Sequence, residues 1–195
     1  MERISKETYI RRRAQLKRDM GSGLLLFLGN DEVGMNYADN TYRFRQDSTF
    51  LYFFGLDYAG LAAVIDVDND AEIVFGNELT IDDIVWTGTQ PSLREKATVV
   101  GIDKTLPMSE LKNYINKVRA KGQTVHFLPP YRGDHRVWLW ELLGVEPAAQ
   151  AEKASCACRP KRLFQVFPDG STPVSSGTIP SRTAGTGWRY SSCAP

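Results

Sequence analysis

No apolar run in the chain approaches the ~20 residues that a membrane helix needs; the densest, "LLLFL" at 24–28, is a quarter of that length. Nor does the opening "MERISKETYIRRRAQLKRDM" hold the apolar h-region of a secretory signal, because charge runs through it. Cysteine is scarce, with three residues in all (Cys156, Cys158 and Cys193). An odd number gives no disulfide framework, and reduced thiols suit the cytoplasmic location expected here. Histidine is scarcer. His126 and His135 stand nine residues apart with no cysteine or further histidine at ligand spacing, so each is expected to be structural, and "CAC" lacks the Cys-x-x-Cys spacing of a zinc site. The formal net charge of +1 supplies no global field toward nucleic acid or an acidic surface. No Gly-x-Ser-x-Gly elbow occurs, and the "GSG" at 21–23 has no Lys-Ser/Thr after it, which removes the familiar nucleophile and phosphate-loop patterns.

What is present divides near Ala154. All three cysteines and five of the ten prolines lie beyond it, whereas both histidines precede it. Residues 155–195 hold five of the 24 basic side chains (Arg159, Lys161, Arg162, Arg182 and Arg189) and one of the 23 acidic ones (Asp169). That gives the tail a net +4 and leaves residues 1–154 at −3. The tail shows neither helical nor strand periodicity, so its isolated apolar residues cannot offset the entropy of ordering it, and disorder is expected for 155–195. The expected domain is 1–154.

Within 1–154 the patterns predict an α/β domain whose mixed, six-stranded sheet is flanked by helices. A first helix is predicted from Lys6 to Met20, with Ser5 as N-cap, Tyr9, Leu16 and Met20 on one side, and "GSG" as its stop. "LLLFL" reads as a buried strand. "STFLYFFG" reads as a second, apolar on both faces, and "GLAAVIDV" with "AEIVFG" as a hairpin; "ATVVGI" and "TVHFL" complete the six. Leu111, Tyr114, Ile115 and Val118 mark a helix after Ser109, and His135, Trp138, Leu139, Leu142 and Leu143 mark another after Asp134.

Two charged clusters read as structural. Asp66, Asp68 and Asp70 resemble the start of a calcium loop, but Ala71 and Asn77 occupy the positions of its glycine and bidentate glutamate, so a solvated hairpin turn is expected. "RRR" at 11–13 is expected on the solvated side of the first helix.

The stretch "YADNTYRFRQDSTFLYFFGLD" is the informative one. Its order of Tyr42, Phe44, Arg45, Gln46, Ser48, Phe50, Tyr52, Phe53, Gly55 and Leu56 resembles the N-terminal domain of Xaa-Pro aminopeptidases (aminopeptidase P), in the creatinase/prolidase family. The resemblance runs along 1–154, through "LLLFLG", "GLAAVIDVD", "IVFG", "DDIVWTG" and "VHFLPPYR". It implies a mixed six-stranded sheet flanked by helices, and a non-catalytic domain contributing to substrate access and oligomer contacts. Partners would then be its own catalytic domain, neighbouring subunits and, for the whole enzyme, proline-containing peptides, with no role for nucleic acid or membrane. The family's chemistry resides in a pita-bread domain, where two aspartates, a histidine and two glutamates hold two divalent metal ions, usually manganese. No cofactor is expected on this chain, which is predicted inactive alone.

The same resemblance places Asp39 and Trp86 near the catalytic groove of a neighbouring subunit; an ordinary turn or cap role for Asp39 and a core role for Trp86 are the alternatives. Arg43, Arg45, Gln46 and Asp47 form the expected interface loop, unless Arg43, Arg45 and Asp47 satisfy one another and the loop backbone. The abrupt change after Ser155 suggests a truncation before the catalytic domain, through a shifted frame or a false gene model, which the downstream nucleotide sequence would decide. A stand-alone protein-interaction module is the competing reading, to be recognised by a stoichiometric partner found without any peptidase.

Overall fold

The computed structural model describes residues 4–154 other than 38, 80, 82–84, 87 and 89, so the expected disorder of 155–195 lies outside the described residues. Helix α1 (Lys6–Met20) has the expected bounds, with Glu7 in its first turn and Lys17 and Arg18 in its last, each complementing the helix dipole. Ser5 occupies the N-cap position, but its hydroxyl meets Thr8 Oγ1 at 3.1 Å and makes no cap bond to the backbone.

Strand β1 (Leu24–Leu28) lies inside the sheet, antiparallel to β2 (Ala62–Asp66) on one side and parallel to β5 (Val125–Phe127) on the other. Strand β3 (Ala71–Phe75) closes the expected hairpin with β2 and pairs in parallel with β4 (Lys104–Leu106). The order is β4-β3-β2-β1-β5. Both sheet faces are covered, which is why β1 and β2 read as apolar runs without alternation. Leu24, Leu26, Val64, Ile73 and Phe75 join a core with Leu111, Ile115 and Val118 of α4 (Glu110–Ala120) and Leu139, Leu142 and Leu143 of α5 (Gly133–Leu143). On the opposite face, Phe27 meets Phe53 and Phe54 of α2 (Ser48–Phe54) at ring separations of 5.5 and 5.3 Å. A short α6 (Gln150–Lys153) ends the described chain.

The mixed sheet flanked by helices is the expected fold class, but it contains five strands, and two expected strands are helical. The segment "STFLYFF" is α2: its buried residues Phe50, Phe53 and Phe54 fall at i, i+3 and i+4, and the apolar residues between them mimic the second face of a strand. Cap chemistry overrides the strand preference of its aromatics. Asp47 accepts from Thr49 N (2.8 Å) and Phe50 N (2.9 Å) at one end; at the other, Gly55 takes φ 63°, where an added Cβ would also collide with the Tyr9 ring.

The first half of "ATVVGI" likewise belongs to α3 (Leu93–Val99). It opens on a capping box in which Ser92 and Glu95 satisfy each other's backbone N–H. The neighbouring strand begins only at Lys104.

The two clusters expected on the surface also need correction. Arg13, in "RRR", is fully buried between α1, α2 and the turn after α3, whereas Arg11 is exposed and the half-buried Arg12 donates Nη1 to Tyr52 O at 2.8 Å. Its Nε meets Glu72 Oε2 at 2.6 Å, Nη1 donates to Phe53 O (3.0 Å), and Nη2 donates to Val100 O (3.0 Å) and Gly101 O (3.2 Å). Asp66 does not share the solvated turn. It is fully buried and accepts from Asn69 N (3.1 Å), Asn69 Nδ2 (2.8 Å), Tyr114 Oη (2.9 Å) and Gln123 Nε2 (2.8 Å).

Candidate functional site

Strands β1 and β5 run in parallel, and the loops leaving their carboxyl ends diverge around a cleft of about 510 Å³. Its walls come from 30–33 after β1, from 42–46 with Ser48 before and within α2, and from Tyr131 and Arg132 after β5. Crevices outside the carboxyl ends of parallel strands are where open α/β sheets commonly hold ligands.

The floor is set by close backbone approach. Gly29 N donates to Leu61 O at 2.8 Å, and a Cβ on Gly29 would lie 2.6 Å from that same oxygen, so no other residue fits without moving backbone. His135 Nε2 donates to Gly29 O at 3.0 Å, since a carbonyl can only accept, and this is the structural role expected for that histidine.

Gln46, buried, knots the walls together. Its Oε1 accepts from Asn30 N (2.6 Å) and Asp47 N (2.9 Å), and its Nε2 donates to Tyr58 O (2.7 Å). Asn30 Nδ2 donates to Arg45 O (2.8 Å) and reaches Tyr131 Oη at 3.5 Å. Asn30 Oδ1 is buried and has no hydrogen-bond partner among the described residues.

Charge in the cleft is uneven. Arg132 is neutralised by Asp134, with Nη2 to Oδ2 at 2.6 Å; that bond raises the guanidinium above its ordinary range and holds the Asp134 carboxyl below the usual one. Partial burial, more than the nearby Asp47 carboxylate, pushes the Tyr131 phenol up. Arg43 and Arg45 are exposed at the cleft, and their guanidinium groups have no partner among the described residues.

Of the residues singled out from sequence, the structure therefore brings Arg43, Arg45 and Gln46 to one cleft, with Asp47 beside it as the cap of α2. Gln46 and Asp47 direct their polar atoms inward. Asp39 and Trp86 do not line the cleft. Asp39 is an exposed turn residue in the loop between Gly34 and Thr41, which are joined by an isolated bridge. Trp86 is 87% exposed, beside Ile81 and Val85 at 81% and 73%, which excludes the core role. Asn30 and Tyr131 were not anticipated: an asparagine in "GNDE" carries only a turn signal, and its buried free acceptor emerges only when 46, 58 and 131 are brought together. Among the described residues, no three His, Cys, Asp or Glu side chains gather where they could hold a metal ion.

The family model of the aminopeptidase P N-terminal domain matches residues 9–127. The probable Xaa-Pro aminopeptidase of Chaetomium globosum is 27% identical over 118 residues, covering 60% of this chain and 20% of that protein. The mitochondrial intermediate cleaving peptidase 55 of Arabidopsis thaliana is 29% identical over 121 residues, covering 62% and 24%. Among solved structures, the low-pH form of Escherichia coli aminopeptidase P shares the fold with a TM-score of 0.60 at 23% identity, over 73% of this chain and 33% of that one. A substrate complex of a variant of the same enzyme gives 0.62 over the same shares. The chain thus spans about a fifth to a quarter of the length of these curated relatives.

Proposed function

The chain belongs to the aminopeptidase P N-terminal domain family, and on that premise we propose that it is the non-catalytic domain of an Xaa-Pro aminopeptidase-like metallopeptidase, shaping substrate access and oligomer contacts for a peptidase domain. The observation that carries this reading is the family match over 9–127, in which the polar-to-aromatic segment folds as one wall of a cleft and leaves two arginines outward. Substrates of the whole enzyme are proline-containing peptides. Its two divalent metal ions, usually manganese, belong to the peptidase domain, and the setting is cytoplasmic.

Asp39 and Trp86 are the residues proposed to reach a neighbouring subunit's groove. An exposed indole suits this role because it can cover the apolar face of a substrate proline, and an exposed carboxylate can hold a terminal amine or an arginine. Having no burial of their own, both can be changed without loss of core.

The test joins residues 1–154 to a relative's peptidase domain, verifies assembly by light scattering, and compares kcat/KM for X-Pro peptides. Trp86→Ala is expected to lower it by about tenfold, or ~1.4 kcal/mol, and Asp39→Ala by a smaller factor. Unchanged kinetics in a correctly assembled oligomer would remove both residues from the groove. Failure of the two parts to associate would favour an independent interaction module.

A further inference from the structure

We propose that the cleft at the carboxyl ends of β1 and β5 receives an extended, acidic stretch of polypeptide, with carboxylates on Arg43 and Arg45 and a backbone N–H on Asn30 Oδ1. The inference rests on the reading above, that segment 42–48 faces a partner domain, and gives that contact its chemistry.

Asn30 is the discriminating group. Its amide orientation is fixed, because Nδ2 donates to Arg45 O at 2.8 Å and a flip would set two oxygens against each other. Asn30 lines the cleft with only 5% of its surface exposed, and its Oδ1 is a buried acceptor without a partner among the described residues. The two neighbouring amide donors are already engaged: Gln46 Nε2 and Asn30 Nδ2 both point to backbone carbonyls. The missing partner must therefore bring a hydrogen, and bringing it removes the penalty of a buried, unpaired acceptor.

Charge narrows the occupant further. Arg132 is taken by Asp134, whereas Arg43 and Arg45 are unpaired among the described residues and line the same cleft. A bare anion would meet the arginines but supply no hydrogen to Oδ1. A lysine or arginine side chain would supply one but would approach two like charges. An acidic peptide satisfies both demands, since its backbone donates while its side chains accept.

The remaining walls fit as well. Val33, Tyr42, Phe44 and Tyr131 offer apolar and aromatic surface along the cleft, whose volume of about 510 Å³ lies within the ~300–1,000 Å³ range of ligand-sized sites. Asp31 and Glu32 also line it, so the acidic side chains of the occupant belong on the 43–45 side.

The source is the peptidase-domain polypeptide that accompanies this domain. Its relatives have most of their length outside the matched region, this chain covering 20% and 24% of two of them. The chain's own residues 155–195 are a poor match, with five basic side chains against one acidic.

The full chain, ¹⁵N-labelled, is titrated with acetyl-Ala-Glu-Ala-Glu-Ala-amide, with its lysine counterpart, and with the same acidic peptide N-methylated at the central alanine. Saturable shifts are expected in 30–33, 42–48 and 131–132 with the first peptide only. Arg43→Ala with Arg45→Ala should weaken binding by about tenfold or more, and added salt should weaken it too. Both arginines are exposed, so the variant keeps its fold, which its spectrum verifies. The N-methylated peptide tests the Asn30 bond without altering the protein. No saturable shift at millimolar peptide, equal binding of the lysine peptide, or indifference to N-methylation would each overturn the proposal. If the joined enzyme of the previous section assembles and works while the acidic peptide fails, this inference alone falls.

Discussion

Replacing Arg13 with methionine keeps most of the aliphatic stem and removes the guanidinium, which lies over the Phe54 ring and binds four groups. The guanidinium is fully buried, and its partners are the Glu72 carboxylate at 2.6 Å and the carbonyls of Phe53, Val100 and Gly101 at 3.0–3.2 Å. Removing one member of a buried pair commonly costs ~3–5 kcal/mol, because the other charge is left uncompensated. Glu72 is shielded from the full penalty, since it retains Lys17 at 2.9 Å and is itself 17% exposed. The three carbonyls add the cost of losing a charged donor, at ~1–3 kcal/mol for each one that water cannot reach, though these losses overlap. Arg13→Met is therefore expected to destabilise by about 3–5 kcal/mol, a large share of the ~5–15 kcal/mol that holds a typical domain together. Urea unfolding of the full chain, followed by circular dichroism, reads it as a lower midpoint at constant m. Arg11→Met, on the exposed side of α1, is the control and should stay within ~0.5 kcal/mol. Adding Glu72→Gln should recover part of the loss, since the carboxylate no longer lacks its partner. A cost below about 1 kcal/mol, or one matched by Arg11→Met, would refute the assignment of Arg13 as the tie between α1, α2 and the turn after α3.

Asp47→Ala should cost ~1 kcal/mol or somewhat more by the same assay, since two backbone N–H groups of α2 lose their acceptor; a neutral result would mean that water replaces the cap. Burial pushes the Asp66 carboxyl up, but the hydrogen bonds from Gln123, Asn69 and Tyr114 win and hold it below the ordinary carboxylate value. Its contribution is accordingly present above the unfolded-state value of ~3.9 and lost as pH falls through the lower folded value; Asp66→Asn should flatten that acid limb in a stability–pH profile. Purified residues 1–195 should neither retain Mn²⁺ through gel filtration nor release the first residue of an X-Pro peptide. Turnover that survives repurification and scales with chain concentration would falsify the non-catalytic reading.

Element positions were legible wherever period and punctuation agreed. Helix α1 could be read to both ends because "GSG" stops it. For α4 and α5 the apolar repeat at helical spacing and the closing glycines were legible, but their starts were less so: Ser109 makes no side-chain cap bond, and α5 begins at Gly133, with Asp134 inside its first turn. In "STFLYFF" they disagreed. Aromatic and β-branched residues favour a strand, and only the pair of Asp47 before and Gly55 after indicated a seven-residue helix. The capping box of Ser92 and Glu95 was an available signal against a strand at "ATVVGI". Burial of Arg13 and Asp66 was not legible: every partner of Arg13 lies 40 or more residues away, and Asp66, besides its local bonds from Asn69, is enclosed by Tyr114 and Gln123, 48 and 57 residues on. The cleft was half legible: its arginines and Gln46 lie in the stretch that stood out, whereas Asn30 and Tyr131 acquire meaning only from the parallel pairing of β1 with β5.

That pairing also sets a timetable for a chain made from its N-terminus. Leu24 and Val125 are register partners, so β1 has only β2 beside it until about a hundred further residues have been synthesised. At ~5–20 residues per second, the interval is roughly 5–20 s. Through it, the most apolar strand of the molecule presents one unpaired edge, the kind of template on which chains join each other instead of folding. Arg13 waits nearly as long, for carbonyls 87 and 88 residues downstream. Until β5 emerges, the nascent domain thus carries an unpaired sheet edge that the finished fold no longer shows on β1, a hazard of synthesis that final stability does not measure.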